Sequence, residues 1–307
     1  MGIATTDLID SPELRELARR YGVYSPIHPQ DFIFLHHKNN PPRDVTEAAG
    51  MYYHIGNDSA TRLLSLIDRC PPSCVEGKVS VLEFAAGYGC VTRHLKLHDR
   101  LEVTPCDIHD EAVAFLQAGL GVSGLVSATQ PKHLDTSRGY DVVFALSFFT
   151  HMPARTWAVW FEKLFSLVRP GGVFIFTTHG FKPWRDVGSP AIDEHGFWFA
   201  PISEQKDLST DDYGCTISLP HYVFNQICMM PEAKLVSYEP DYWGGLQDTF
   251  VVRRHPGTLD AGAAELDRRQ HEIDALTKQV AALRSSTSWR LTRPLRALRT
   301  WTGAPPG

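Results

Sequence analysis

Between Glu83 and Asp107 the residue types and their spacing suit a nucleoside-containing cofactor. The stretch Val81-Leu82-Glu83-Phe84-Ala85-Ala86-Gly87-Tyr88-Gly89-Cys90 runs from a strand-like segment through an acidic residue into a turn of small residues, after which a helix is predicted. Glycine lets a ligand approach the backbone closely, and a helix start offers N–H groups that lack intrahelical partners. Twenty residues beyond Gly87, Asp107 ends a second strand-like run. A carboxylate there can accept both hydroxyls of an adenosine ribose. Two cofactor classes remain open at this point. A nicotinamide dinucleotide favours a small residue at the third glycine position, where this chain has Thr92. S-adenosylmethionine has no pyrophosphate to cradle, and Glu83 on the first strand suits its ammonium group.

The elements that must position these residues follow from the pattern around them. Runs VSVLEFA, LEVTPCD, GLVSAT, YDVVFALS and GGVFIFTTH between residues 79 and 180 read as strands, and DEAVAFLQAGL and PARTWAVWFEKLFSLV as helices. Alternation of this kind predicts an α/β, doubly wound, mostly parallel sheet. Two further runs, KLVSYEPDYW and QDTFVVRR, flank Gly244-Gly245 and predict an antiparallel hairpin at the end of the sheet. The predicted organisation is an N-terminal helical cap over 1–78, with helices at SPELRELARRYG and NDSATRLLSLIDRC and an irregular stretch between. A cofactor domain over 79–257 follows, with an acceptor-lid insert at 181–233, and then a coiled-coil and basic tail over 258–307. In that tail Leu259, Leu266, Ile273 and Val280 recur every seven residues, with Leu276 and Leu283 at matching positions, which predicts self-association through residues 259–283.

Composition bounds the function. The chain has 307 residues, 43% of them apolar, and a formal charge of −5, which excludes a disordered polypeptide. The first 274 residues hold 24 basic and 35 acidic side chains, a charge of −11, which disfavours nucleic acid as a partner. No apolar run approaches the roughly 20 residues that cross a bilayer. The six cysteines form no CxxC pair and are expected as reduced thiols in a cytoplasmic protein.

On these residues, 79–254 resembles the class I S-adenosylmethionine-dependent methyltransferases. The family's acidic-x-G-x-G-x-G motif appears as Glu83-x-Ala85-x-Gly87-x-Gly89, with Ala85 in place of the first glycine. The Arg169-Pro170-Gly171-Gly172 turn before the fifth strand is a second point of similarity. The resemblance implies a seven-stranded Rossmann-like sheet with its last strand antiparallel. It further implies Asp107 on the ribose, Ile108 beside adenine, and Leu146 and Ser147 by the methionine moiety; where the family often has an acidic side chain on adenine this chain has Ser127, Ala128 and Thr129, which leaves the adenine amino group to Thr129 or a backbone carbonyl.

Methyl transfer to a hydroxyl requires a base, because the hydroxyl's own pKa is far above neutrality. His151, in Ser147-Phe148-Phe149-Thr150-His151-Met152-Pro153, is the first candidate, in a loop similar to the His-Met-Pro loop of sugar and small-molecule O-methyltransferases; His179 is the second. For the acceptor, the insert offers Glu204, Gln205, Asp207 and Tyr213, the hairpin Trp243, and the cap Tyr53 and His54. Aromatic faces mixed with polar groups suit a sugar. No paired carboxylates follow the fourth strand, so no metal is expected. The segment Ser285-Ser286-Thr287-Ser288-Trp289-Arg290 and its basic continuation resembles a C-terminal segment of bacterial surface-polysaccharide enzymes, and suits peripheral contact with the inner face of an anionic membrane. These readings point to an O-methyltransferase for a saccharide or glycolipid. The alternatives are a lipid or secondary-metabolite hydroxyl as acceptor, or a cofactor-holding scaffold without chemistry.

Overall fold

Strands buried on both faces alternate their side chains between two apolar layers, and that alternation accounts for the architecture. A computed structural model describes residues 8–75, 77–134, 137–203, 205, 207–255 and 272–278. The chain divides into two units, residues 1–257 and 258–307. In the second unit residues 272–278 are helical. The remaining positions of the expected coiled coil, Leu259, Leu266, Val280 and Leu283, lie outside the described residues, as does the basic tail after Lys278.

In the first unit the strands are β1 (Val79–Phe84), β2 (Leu101–Asp107), β3 (Leu125–Val126), β4 (Tyr140–Ala145), β5 (Val168–His179), β6 (Phe197–Ala200), β7 (Cys215–Ser218), β8 (Ala233–Trp243) and β9 (Gln247–Arg254). Seven of them make one sheet in the order β3-β2-β1-β4-β5-β9-β8, while β6 and β7 form a separate antiparallel pair. β1 to β5 are parallel and β9 lies antiparallel between β5 and β8, so the fold is the Rossmann-like, mostly parallel sheet that the pattern implies. Strand order reverses between β1 and β4. Loops leaving these two strands therefore diverge, and a crevice opens at their C-terminal ends.

The helices are α1 (Pro12–Tyr21), α2 (Phe32–Asn39), α3 (Val45–Arg69), α4 (Thr92–Leu95), α5 (Asp110–Leu120), α6 (Ala154–Ser166), α7 (Phe181–Asp186) and α8 (Pro220–Cys228). On one sheet face Phe84, Val143, Phe174, Phe176 and Phe250 pack with Trp157 and Phe161 of α6 and Tyr222 and Phe224 of α8. On the other, Val81, Val142, Phe144, Val173 and Ile175 pack with Leu63, Leu66 and Ile67 of α3.

Four local expectations change. The stretch read as irregular contains α2, started by the Asp31 carboxylate, which accepts the Phe34 N–H at 3.1 Å. The second cap helix begins at Val45, not Asn57: Asp44 accepts the Glu47 N–H at 2.9 Å and starts a helix of 25 residues. Its first half packs with α1 and α2, and its second half covers the sheet, so the cap ends within α3. The insert 181–233 is not all lid either, because α8 belongs to the sheet's apolar layer. Finally, the helix expected after the glycine turn is the single turn α4, too short to act as an N-terminal anion site.

α4 carries the link between cap and glycine turn. Arg93 is fully buried; its Nε donates to the Gly89 carbonyl at 3.0 Å, Nη1 to the carbonyls of Tyr24 and Pro26, and Nη2 to the Tyr52 hydroxyl at 2.9 Å. The Tyr52 hydroxyl in turn donates to the Asp31 carboxylate at 2.6 Å, and Asp31 is also buried. Tyr52→Phe leaves a buried carboxylate oxygen and a buried guanidinium N–H without their shared partner. It is expected to lower stability by about 1–3 kcal/mol in urea unfolding.

Candidate active site

Glu83, Ala85, Asp107, Leu146, Ser147 and His151 lie at or soon after the C-terminal ends of β1, β2 and β4. Backbone geometry there is unusual: Ala85, just past β1, has φ 59°, and Ser147, just past β4, has φ 55°. Left-handed backbone disfavours any side chain with a Cβ, so the family's first glycine has a conformational reason, and Ala85 holds the same turn under strain. Gly87, at φ 54°, has no atom within 4 Å of the place a Cβ would take, which leaves its face open to a ligand. Gly89 differs. A Cβ there would lie 2.3 Å from Leu116 Cδ2, so this glycine serves close packing of the turn against α5.

Asp107 is buried at the end of β2, where Oδ2 accepts the Gly87 N–H at 2.7 Å and Oδ1 accepts the His109 N–H at 3.0 Å. Glu83 is buried at the end of β1 and accepts the Thr92 hydroxyl at 2.7 Å. Burial pushes its carboxyl up to about 8, against the opposing pull of the Thr92 bond. An open glycine face beside the Asp107 carboxylate is an arrangement that S-adenosylmethionine fits, with Gly87 able to admit the backbone approach and Asp107 to take the ribose. Ile108, Leu146 and Ser147 are half-buried on the same edge, and Thr129 is exposed.

On the acceptor side, His151 and Tyr213 stack with ring centroids 4.3 Å apart, and the His151 Nδ1 lies 2.7 Å from the Gly214 carbonyl. A carbonyl only accepts, so Nδ1 carries the proton and the lone pair is on Nε2. His179, at the end of β5, pairs in register with Gln247 of β9. Burial pushes its imidazole down to about 4, and its Nδ1, like Gln247 Oε1, is buried without a hydrogen-bond partner. Gln247 donates instead to Ser147 Oγ at 2.6 Å.

Other expected acceptor residues sit elsewhere. Tyr53 is buried in the cap, its hydroxyl donating to the Ser25 carbonyl at 2.5 Å, because its side of α3 faces α1 and α2. Trp243 is buried against Phe144 and donates to Ser59 Oγ at 3.1 Å, which makes it a filler between α3 and the sheet. His54 is exposed on α3. Gln205 is half-buried, and Glu204 lies outside the described residues. Asp207 does reach the cofactor side, through a residue the sequence reading missed. His109 places Nδ1 at 2.8 Å from Asp107 and Nε2 at 2.7 Å from Asp207. Its position two residues beyond Asp107 was the available signal.

Three variants test this geometry. Gly89→Ala adds a clash to a left-handed backbone and is expected to lose about 2–4 kcal/mol in urea unfolding. Gly87→Ala meets only the backbone cost of about 1–2 kcal/mol, yet weakens S-adenosylhomocysteine binding in calorimetry because its face is the open one. Glu83 holds a proton in the fold that the unfolded chain releases near its ordinary 4.5. Its contribution to stability therefore falls as pH rises from there to about 8. Melting curves of Glu83→Gln should lack that fall; an unchanged decline would assign it to other groups.

Residues 82–174, from within β1 into β5, match the family model described as a methyltransferase domain. No curated protein matches the sequence. Among solved structures the chain is similar to an S-adenosylmethionine-dependent methyltransferase from Clostridium acetobutylicum, at 11% identity over 73% of this chain and 98% of that one, with TM-score 0.49. It is also similar to the SAM-bound amino pentose methyltransferase CalS10 of Micromonospora echinaspora, at 13% identity over 69% and 97%, TM-score 0.48. A third, the glycopeptide N-methyltransferase MtfA, shares 14% identity over 65% and 94%, TM-score 0.45. The matched segment spans the glycine turn, Asp107 and the His151 loop, and residues 82–174 are accordingly similar to a methyltransferase domain.

Proposed function

We propose that the protein is an S-adenosylmethionine-dependent methyltransferase whose acceptor is a hydroxyl of a saccharide or glycolipid, and that His151 is the base that takes its proton. The observation that carries the assignment is the 2.7 Å contact between His151 Nδ1 and the Gly214 carbonyl. It fixes the tautomer with Nε2 as the acceptor nitrogen, while stacking on Tyr213 holds the ring plane. His179 is the weaker base, since an imidazole pushed down to about 4 binds a proton poorly at neutral pH. It serves as a neutral polar wall beside Gln247.

S-adenosylmethionine, when bound, supplies an electrophilic sulfonium methyl. The chain's residues hold and orient around it: Asp107 grips the ribose, Gly87 admits the backbone approach, and Glu83 faces the cationic end. On the acceptor side His151 removes the hydroxyl proton, and Tyr213 offers the aromatic face on which a sugar ring packs. This saccharide reading also draws on the C-terminal segment similar to those of surface-polysaccharide enzymes. Membrane contact and self-association through that tail, and a cytoplasmic location, belong to the same proposal. Among the described residues, no helix is long and apolar enough to cross a membrane.

The test is release of S-adenosylhomocysteine with a panel of oligosaccharides and glycolipids. His151→Ala is expected to lower kcat by about 10²–10⁴-fold and to abolish the acidic limb of the pH–rate profile, with S-adenosylhomocysteine affinity in calorimetry unchanged. A variant with the wild-type rate and profile would remove His151 as the base. Turnover confined to hydroxyls that are not on sugars would overturn the acceptor class while leaving the base in place.

A further inference from the structure

His109 joins two parts of the site that the proposed function treats separately. Its Nδ1 contacts the buried carboxylate of Asp107, and its Nε2 the exposed carboxylate of Asp207 in the insert. Carboxylates accept, so both ring nitrogens donate and the ring is an imidazolium, which the two carboxylates, Asp107 foremost, hold up to about 9. Beyond Asp207 the insert runs to Tyr213 and Gly214. There the Gly214 N–H donates to the His151 carbonyl at 2.9 Å, and the Gly214 carbonyl faces His151 Nδ1. Residues 207–214 thus form a strap tied to the cofactor side at one end and to His151 at the other.

Asp107 cannot serve every partner at once. An ionised carboxylate offers about four lone-pair positions. Three are occupied from within the chain, by the N–H groups of Gly87 and His109 and by the His109 ring. The two backbone donors are fixed by the glycine turn and by the turn into α5. The ring can rotate away. A ribose presenting two hydroxyls to Asp107 needs two positions, and only one is left while the ring stays.

We infer that His109 is a positioning residue that couples cofactor grip to the acceptor strap: a two-hydroxyl hold on the ribose by Asp107 and the Asp107–His109–Asp207 bridge exclude one another. Cofactor binding therefore releases the Asp207 end of the strap while the Gly214–His151 end remains, and the acceptor enters after the cofactor. The inference rests on the reading that Asp107 takes the ribose.

The probes are S-adenosylhomocysteine affinity by calorimetry and hydrogen exchange of the amides of residues 208–214, both on the full chain. In the wild type, S-adenosylhomocysteine should raise exchange in the 208–212 part of the strap. His109→Ala should bind it about tenfold more tightly, the scale of one charge-assisted hydrogen bond, and show raised strap exchange that the ligand no longer changes. Asp207→Asn alters only an exposed side chain; it should raise strap exchange without ligand and leave the Asp107–His109 contact in place. Weaker binding by His109→Ala, or a strap that the ligand protects in the wild type, would overturn the inference. Asp107→Ala separates the two levels. If it binds S-adenosylhomocysteine as the wild type does, the ribose reading itself fails; if it binds weakly and His109→Ala does too, only the coupling fails.

Discussion

A fully buried guanidinium tolerates no vacancy among its acceptors, and Arg93 is such a group. Its donors reach the Gly89 carbonyl of the glycine turn, the Tyr24 and Pro26 carbonyls of the cap, and the Tyr52 hydroxyl, while its plane lies 4.8 Å from the Tyr52 ring centroid. The nearby carboxylate of Asp31, itself out of water, is reached through Tyr52. Neither charge is sustainable without the other, so the cap and the glycine turn are positioned as one piece. Stacking of His28 on Tyr88, between the two glycines, repeats that connection with rings 4.3 Å apart.

Left-handed backbone and unmet polar groups occur at the edge where that piece meets the sheet. Two residues with a Cβ, Ala85 and Ser147, take left-handed backbone at the ends of neighbouring strands β1 and β4. His179 Nδ1 and Gln247 Oε1, buried and without hydrogen-bond partners, lie on paired positions of β5 and β9 near the same edge. A fold maintains such costs only where packing elsewhere over-determines the geometry. Here the aromatic layer from Phe84 through Phe176 to Phe250 supplies that packing directly behind the edge.

Much of this was legible in the sequence, for a physical reason. A parallel strand covered on both faces must be apolar throughout, and YDVVFA, buried at all six positions, announces itself. Asp107 at the end of β2 and the turn of small residues after β1 stand where the alternating pattern put them. The cap was not. FIFLHHKN lacks a 3.6-residue apolar stripe, and what starts its helix is a single side chain, the Asp31 N-cap. Tyr53 and Trp243 were misplaced because an aromatic residue looks the same whether it stacks on a ligand or fills a core. Nor could sequence spacing reveal that His109 and Asp207, 98 positions apart, share a proton.

The two candidate bases show how environment decides among identical side chains. His179 ends a strand and inherits that strand's burial, which drives its imidazole down to about 4 and makes it a fixed neutral group. His151 sits in the loop after β4, half-exposed, and its tautomer is set by a carbonyl that belongs to the insert. What fixes the His151 ring is therefore not the sheet that carries its loop but the strap of residues 207–214. Because the other end of that strap is tied through His109 to the carboxylate at the end of β2, the cofactor side and the base side of the crevice are joined through eight residues of the insert, 207–214, as well as through the sheet.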